Sequence, residues 1–231
     1  MIRRRLGVLG GTFDPIHFGH LDAGDAAQAA LGLDEIRVIP SHDPPHRPTD
    51  PRATAFHRFA LLALAVQDRA SWRVSDAELL RQGPSYTFDT LRSLQREGWD
   101  PWQIFFILGA AAFAEIATWH RFPAVLDESQ FVVVSRPGVT LDAAVARTPG
   151  LAPRLRMPET LRDTTGETGI FLVEGRTRNV SSSEVRTRLE AGLPIDDLVP
   201  AAVARHVAAN RIYSIGTPVG DLHGEEQRTH D

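Results

Sequence analysis

The sequence contains no cysteine and no lysine. Without cysteine the chain can form no disulfide, offers no thiolate nucleophile and builds no cysteine-ligated metal site, and this absence fits a cytoplasmic protein. All 25 basic residues are arginine. Neither the Gly-x-x-x-x-Gly-Lys-Ser/Thr phosphate loop nor the Gly-x-Gly-x-x-Gly dinucleotide signature occurs. These two nucleotide-binding loops are therefore excluded.

Long apolar runs are missing as well. The basic segment Met1–Arg5 precedes a short apolar stretch, Leu6–Leu9, which is too short for a signal-peptide core. No run is long enough to cross a membrane, so we expect no membrane partner. The net charge of −4 argues against a protein that coats nucleic acid. Whether chains assemble into a homo-oligomer stays open.

Apolar runs alternate with helical patterns along the chain. The strand-like runs are Leu6–Leu9, Ile36–Ile39, Ile104–Leu108, Phe131–Val134 and Ile170–Val173, and the helical patterns are Phe18–Leu31, Ala53–Gln67, Phe88–Glu97, Ala111–Thr118, Glu184–Ala191 and Pro200–Tyr213. This alternation predicts an α/β fold with a doubly wound parallel sheet. We expect one domain over 1–213, whose C-terminal helical part covers about 181–213, an irregular stretch at 138–169 and a disordered tail at 214–231.

The run Gly10–His20, GGTFDPIHFGH, follows the first strand and opens the first helix. Glycines let the backbone approach a ligand closely and permit positive φ, and a helix N-terminus attracts phosphate. Two glycines alone equally fit an ordinary strand-to-helix turn. His17 and His20 could be metal ligands, but with no cysteine and no obvious carboxylate partner, donation to phosphate fits better.

The run resembles, almost residue for residue, the nucleotide-binding signature of the nicotinate-mononucleotide adenylyltransferases, in the nucleotidylyltransferase superfamily. Further segments match that family in its order: Pro44–Arg47, Pro84–Leu91, Thr118–Trp119 with Ser135–Gly138, and Val180–Arg186. Together the matches span roughly residues 6–213. The resemblance implies a Rossmann-like nucleotidyltransferase fold with a small C-terminal helical extension.

The resemblance also implies the site residues. Those for ATP are Gly10, Gly11, Thr12, Phe13, His17, His20, Gly109, Ala111, Ser182, Ser183 and Arg186, of which His17, His20 and Arg186 are catalytic. Those for nicotinate mononucleotide are His46, Arg47, Ser85, Tyr86, Thr87, Trp119 and Arg136. No protein side chain is expected to hold a metal, and Mg²⁺ would arrive with ATP. Without the family, Trp119 could be a core residue and Ser181–Ser183 a simple helix cap.

One position departs from the family pattern. The family's strand-end motif is Gly-x-Asp, whose Asp is expected to contact ribose hydroxyls, whereas this chain reads Gly109-Ala110-Ala111. The implied activity is adenylyl transfer from ATP to nicotinate mononucleotide, in NAD biosynthesis. The alternatives are another acceptor, nicotinamide mononucleotide or phosphopantetheine, or a nucleotide-binding module weakened by Ala111. A redox enzyme is disfavoured because the dinucleotide signature is absent.

Overall fold

The computed structural model describes residues 4–45, 49–135, 145–163 and 166–213. Three of the expected site residues, His46, Arg47 and Arg136, lie outside the described residues, as does the expected tail 214–231. Of the expected irregular stretch 138–169, residues 138–144 and 164–165 lie outside them too.

In these ranges seven parallel strands form one sheet. The strands are β1 (Leu6–Gly11), β2 (Glu35–Pro40), β3 (Trp72–Val74), β4 (Ile104–Gly109), β5 (Gln130–Val134), β6 (Leu155–Arg156) and β7 (Ile170–Val173). Their spatial order is β3-β2-β1-β4-β5-β7-β6. The chain winds outward from β1 in one direction and from β4 in the other, so the sheet has a topological switch point between β1 and β4. The predicted doubly wound sheet is confirmed.

Helices flank the sheet in the described ranges. The α-helices are α1 (Phe18–Leu31), α2 (Ala55–Val66), α3 (Thr87–Arg96), α4 (Ala110–Phe113), α5 (Ser182–Glu190) and α6 (Ala201–Ala209), and short 3₁₀ turns cover Pro101–Gln103, Ile116–Thr118, Ala124–Asp127, Pro149–Arg154 and Pro158–Asp163. The helix expected over Ala111–Thr118 is instead a single α turn followed by a 3₁₀ turn. None of the described helices has the length and apolar character needed to cross a bilayer.

Buried side chains form one core on each face of the sheet. In β4, Phe105 and Ile107 join the core under α1, α2 and α6, whereas Phe106 and Leu108 join the core under α3 and α4. Successive side chains of β4 thus alternate between the two faces of the sheet, and both faces are buried, as expected for a strand covered on both sides. The sheet, packed on both faces, therefore supports the residues that follow the C-terminal ends of its strands.

Candidate active site

A cavity of about 610 Å³ lies at the C-terminal ends of β1 and β4. This is the switch point, where ligands of such sheets bind, and the volume falls in the range of small-molecule sites. Expected site residues that line it are Gly10, Gly11, Thr12, His17, His20, Ser85, Thr87, Gly109, Ala111, Trp119, Ser182 and Ser183. Four distant stretches of sequence therefore meet around one cavity.

The Gly10–His20 run does not use the positive φ that its two glycines permit. Neither Gly10 nor Gly11 has positive φ; both continue β1, and the positive φ of 51° belongs to Phe13. The Phe13 ring is buried and meets the His20 ring edge-on, with centroids 5.0 Å apart. The glycines instead give close approach, since a Cβ on Gly10 would lie 3.2 Å from the Phe106 ring.

The two histidines of the run are arranged as a pair at the start of α1. His17 is the N-cap residue, and its backbone N–H donates to Nδ1 of His20 at 3.3 Å. Their rings stack with centroids 3.7 Å apart and an interplanar angle of 23°. The capping position, the ring stacking and the edge of Phe13 together fix both imidazoles at the first turn of the helix. In that turn the N–H of Phe18 donates to the carbonyl of Leu198 at 2.9 Å, and the N–H of His20 donates to the carbonyl of His17 at 3.0 Å.

The start of α5 forms the facing wall. Ser181 is the N-cap, and its hydroxyl accepts the N–H of Glu184 at 3.1 Å. The Ser182 hydroxyl donates to the carbonyl of Pro15 at 2.9 Å, joining residues 167 positions apart. Two helix N-termini thus face the same space, which is the electrostatic setting that favours a polyphosphate.

Arg186 lies behind this wall and does not line the cavity itself. Its guanidinium donates to the carbonyl of Asp14 at 2.6 Å and to the hydroxyl of Ser183 at 3.1 Å. The same group lies 3.8 Å from the carboxylate of Asp14. Arg186 is therefore oriented before any ligand binds, with Ser183 between its charge and the cavity.

Asp14 is the centre of a buried network that the sequence did not reveal. Sequence reasoning made it a turn residue, yet its carboxylate accepts the N–H groups of Arg52 and Ala53, each at 3.0 Å, and the Tyr213 hydroxyl at 2.8 Å. Burial and the negative charge of Asp14 raise the pKa of Tyr213 above its usual value. Arg58, 1% exposed, donates to the carbonyl of Thr12 at 2.8 Å. No sequence pattern signals partners so distant along the chain.

One end of the cavity, beside a smaller adjoining cavity, carries residues expected to hold the acceptor. Thr87 begins α3, and Trp119 is half-buried with its ring edge-on to Phe106, centroids 5.9 Å apart. Tyr86 lines a smaller adjoining cavity of about 60 Å³. Its ring stacks on His120 at 4.0 Å and 19°, a partner that sequence reasoning missed. Aromatic rings and a helix N-terminus here suit a planar anion.

Glu78 is a second residue that sequence reasoning missed. It is 6% exposed, lines the cavity beside Ser85, and is the one carboxylate among the described lining residues. Burial raises its pKa, and hydrogen bonds from Thr90 and Ser85 and the charge of Arg81 oppose that rise. A buried carboxylate is unexpected in a cavity whose other features favour anions.

Cationic side chains are scarce in the described part of the wall. Arg178 lines the cavity, but Asp22 binds its guanidinium through two contacts of 2.7 and 2.9 Å. This pairing lowers the pKa of Asp22 and raises that of Arg178. Within the described ranges no three His, Cys, Asp or Glu side chains converge as metal ligands would.

Comparison with known proteins identifies the family. The cytidylyltransferase-like family matches residues 8–188. A probable nicotinate-nucleotide adenylyltransferase of Symbiobacterium thermophilum is 38% identical over 94% of this chain and 99% of its own, and one of Pseudomonas aeruginosa is 36% identical over 91% and 97%. The fold matches Plasmodium falciparum nicotinic acid mononucleotide adenylyltransferase complexed with NaAD, with a TM-score of 0.67, 17% identity and coverage of 91% and 97%. The chain belongs to the cytidylyltransferase-like family and, within it, to the nicotinate-nucleotide adenylyltransferases.

Proposed function

We propose that this protein transfers the adenylyl group of ATP to nicotinate mononucleotide, giving nicotinate adenine dinucleotide and pyrophosphate. The observation that carries the proposal is the shared cavity: two helix N-termini and the His17–His20 pair line it together with Ser85, Thr87 and Trp119. Relatives named for this reaction match nearly the whole chain. The reaction belongs to NAD biosynthesis.

The reaction requires positioning and charge stabilisation more than acid–base chemistry. The 5′-phosphate of the acceptor is already an anion, so it attacks the α-phosphorus of ATP without a general base. Catalysis then consists of in-line alignment and stabilisation of charge on the α-phosphate and the leaving pyrophosphate. The stacked histidines, Ser182 and Arg186 are already oriented by contacts within the protein, which supports their use for both tasks.

We assign the ATP side as follows. His17, His20 and the amides of Gly10–Phe13 bind the phosphates, Ser182 and Ser183 receive the leaving pyrophosphate, and Arg186 adds positive charge behind Ser183. Gly109 and Ala111 flank the ribose. Since Asp22 already pairs with Arg178, hydrogen bonds from the histidines and amides supply most of the protein's stabilisation of phosphate charge in the described wall.

A divalent cation bound to the triphosphate supplies the remaining stabilisation of its negative charge, and we assign this cation as Mg²⁺. Mg²⁺ keeps several waters and binds mainly through phosphate oxygens, so it needs no dedicated cluster of protein ligands. It contributes neutralisation of the triphosphate charge; the side chains above orient the phosphates around it.

We assign the acceptor side to the cavity end at Ser85–Thr87. Trp119 stacks on the pyridine ring, Thr87 and the start of α3 receive the nicotinate carboxylate, and Tyr86 closes the pocket with His120. Neutral donors for that carboxylate favour the acid over the amide. His46, Arg47 and Arg136 are assigned to the acceptor on the family resemblance.

An acceptor panel tests the proposal. Purified protein is incubated with ATP, Mg²⁺ and one acceptor, and the product is identified by mass spectrometry. We expect nicotinate adenine dinucleotide from nicotinate mononucleotide at a kcat/KM at least tenfold above that for nicotinamide mononucleotide or phosphopantetheine. A preference for either of the other acceptors would reassign the substrate.

A further inference from the structure

Four segments of the chain meet at Asp14, in the turn between β1 and α1. Its Oδ1 atom accepts the N–H of Ala53 at 3.0 Å and the hydroxyl of Tyr213 at 2.8 Å, and its Oδ2 atom accepts the N–H of Arg52 at 3.0 Å. Oδ2 is also the oxygen that lies 3.8 Å from the guanidinium of Arg186. The Asp14 side chain is 2% exposed, so water does not replace a lost donor. The carboxylate is therefore held in one orientation by its protein partners.

The connection from Asp14 to the cavity runs through Arg186. Nη1 of Arg186 donates to the carbonyl of Asp14 at 2.6 Å, and Nη2 donates to the hydroxyl of Ser183 at 3.1 Å. Ser183 lines the cavity, whereas Asp14 and Arg186 do not. Because a guanidinium is planar and its donors have a fixed geometry, the two contacts together set its orientation. A movement of Asp14 would therefore move Arg186 relative to Ser183.

Tyr213 reaches Asp14 from an unusual backbone conformation. It follows α6 and has a φ of 69°, in the left-handed region that bulky residues rarely adopt. Its ring is 9% exposed and belongs to the core under α1, α2 and α6. Such strain persists only where the surrounding structure over-determines it, and it is concentrated at functional sites. The hydroxyl bond to Asp14 thus joins the segment after α6 to the phosphate side of the cavity.

Two arginine–aspartate pairs near the cavity differ in a way that gives this bond a use. Asp22 binds the guanidinium of Arg178 through contacts of 2.7 and 2.9 Å, which largely offset the positive charge. The Asp14 carboxylate stays 3.8 Å from Arg186, and among the described residues Arg186 forms no closer ion pair. The donors on Asp14, Tyr213 among them, oppose rotation of the carboxylate into such a pair. The charge of Arg186 therefore remains available to phosphates beside Ser183.

We infer that Tyr213 is a positioning residue for the leaving pyrophosphate: its hydroxyl keeps the Asp14 carboxylate out of a close ion pair with Arg186, so that the guanidinium stays on Ser183. The inference rests on the proposed function, and it adds a residue that does not line the cavity. Loss of the hydroxyl frees the carboxylate to approach Arg186. The binding of pyrophosphate should then weaken, while the acceptor end of the cavity is unaffected.

The reverse reaction tests the inference, because inorganic pyrophosphate is then a substrate. Protein is incubated with nicotinate adenine dinucleotide, pyrophosphate and Mg²⁺, and ATP formation is measured. We expect Tyr213→Phe to raise the KM for pyrophosphate roughly fivefold, the scale of one hydrogen bond, with the KM for the dinucleotide within about twofold of wild type. A merely structural role would reduce the amount of active protein, and so the maximal rate, without changing either KM.

The matched control is Gln130→Leu. Gln130 is 1% exposed at the start of β5 and does not line the cavity; its side chain donates to the carbonyl of Glu167 at 2.7 Å and accepts the N–H of Gly169 at 2.6 Å. The change removes buried hydrogen bonds, so it should lower stability and leave both Michaelis constants at the wild-type value. An unchanged KM for pyrophosphate in Tyr213→Phe, or an equal rise in the control, would overturn the inference.

A double-mutant cycle tests whether Tyr213 acts through Arg186. If it does, adding Tyr213→Phe to Arg186→Ala should raise the KM for pyrophosphate by less than about twofold further. If the two factors multiply, Tyr213 acts by another route and the inference is wrong. Failure of the proposed function would look different, because wild-type protein would then form no ATP from nicotinate adenine dinucleotide and pyrophosphate.

Discussion

Two parts of the cavity wall are built in opposite ways. At the acceptor end, the Ser85 hydroxyl accepts the N–H groups of His42 and Asp43 and so anchors the loop after β2. Where β4 runs into α4, the wall presents Gly109, Ala111 and Ala112, whose side chains offer no hydrogen bond. We therefore expect side chains to fix the geometry at the acceptor end, and the ATP ribose, assigned to Gly109 and Ala111, to be held mainly through the phosphates beside it.

The largest expected effect concerns the histidine pair in the same cavity. His20→Ala should lower kcat by roughly 10²–10³-fold, the loss typical of one donor aimed at transition-state charge. The measurement is steady-state kinetics with both substrates saturating. His120→Ala is the matched control, because that imidazole lies at the acceptor end and should chiefly affect the acceptor KM. A change confined to KM would remove His20 from catalysis.

Ala111→Asp would place a hydrogen-bonding side chain in the part of the wall that has none at Gly109, Ala111 and Ala112. The new carboxylate can accept ribose hydroxyls, and one hydrogen bond to a charged acceptor contributes about 1.5–3 kcal/mol, so ATP should bind about ten- to a hundredfold more tightly. Isothermal titration with a non-hydrolysable ATP analogue measures this. Ala117→Asp, an exposed position that does not line the cavity, serves as the control. Unchanged or weaker affinity would show that the ribose does not lie beside Ala111.

Tyr213→Phe tests the network beneath the phosphate site. The change leaves the buried Asp14 one donor short, which should cost about 1–3 kcal/mol of unfolding free energy, measured by urea denaturation. Tyr86→Phe, whose ring remains stacked on His120, should cost less than half as much. Equal losses would mean that the Asp14 bond adds nothing particular to stability.

The smallest expected effect concerns pH. His57 Nδ1 lies 3.3 Å from His206 Nε2, and burial together with the charge of His206 lowers the pKa of His57. Below about pH 6.5 the unfolded chain therefore takes up a proton that the folded chain resists, so stability falls as pH falls. The melting temperature should drop by less in His57→Asn than in wild type between pH 7.5 and 5.5. An identical drop would contradict the assignment.

The fold was predictable where the signal is local. Apolar runs located β1, β2, β4, β5 and β7, because strands buried on both faces are continuously apolar. The sequence did not predict β3 (Trp72–Val74) or β6 (Leu155–Arg156), since strands of three and two residues are too short to show a pattern.

The site residues also fall into two groups: those recognisable from a local segment of sequence, and those that only the fold brings together. The Gly10–His20 run and Ser181–Ser183 were recognisable because each is one contiguous segment. Asp14 and Tyr213 are 199 positions apart, and Glu78 lies in a stretch that reads as an ordinary polar loop, so only the folded chain unites them with their partners. Glycine permits positive φ, but in this turn the positive φ belongs to Phe13, whose ring is buried.

Pyrophosphate release tests the central claim, that this cavity performs adenylyl transfer and does not merely bind nucleotide. Wild-type protein with saturating ATP and Mg²⁺ is assayed with and without nicotinate mononucleotide. The account predicts release that depends on the acceptor, with one pyrophosphate for each dinucleotide formed. Tight ATP binding without release in the presence of the acceptor would contradict it and favour a binding module weakened at Ala111.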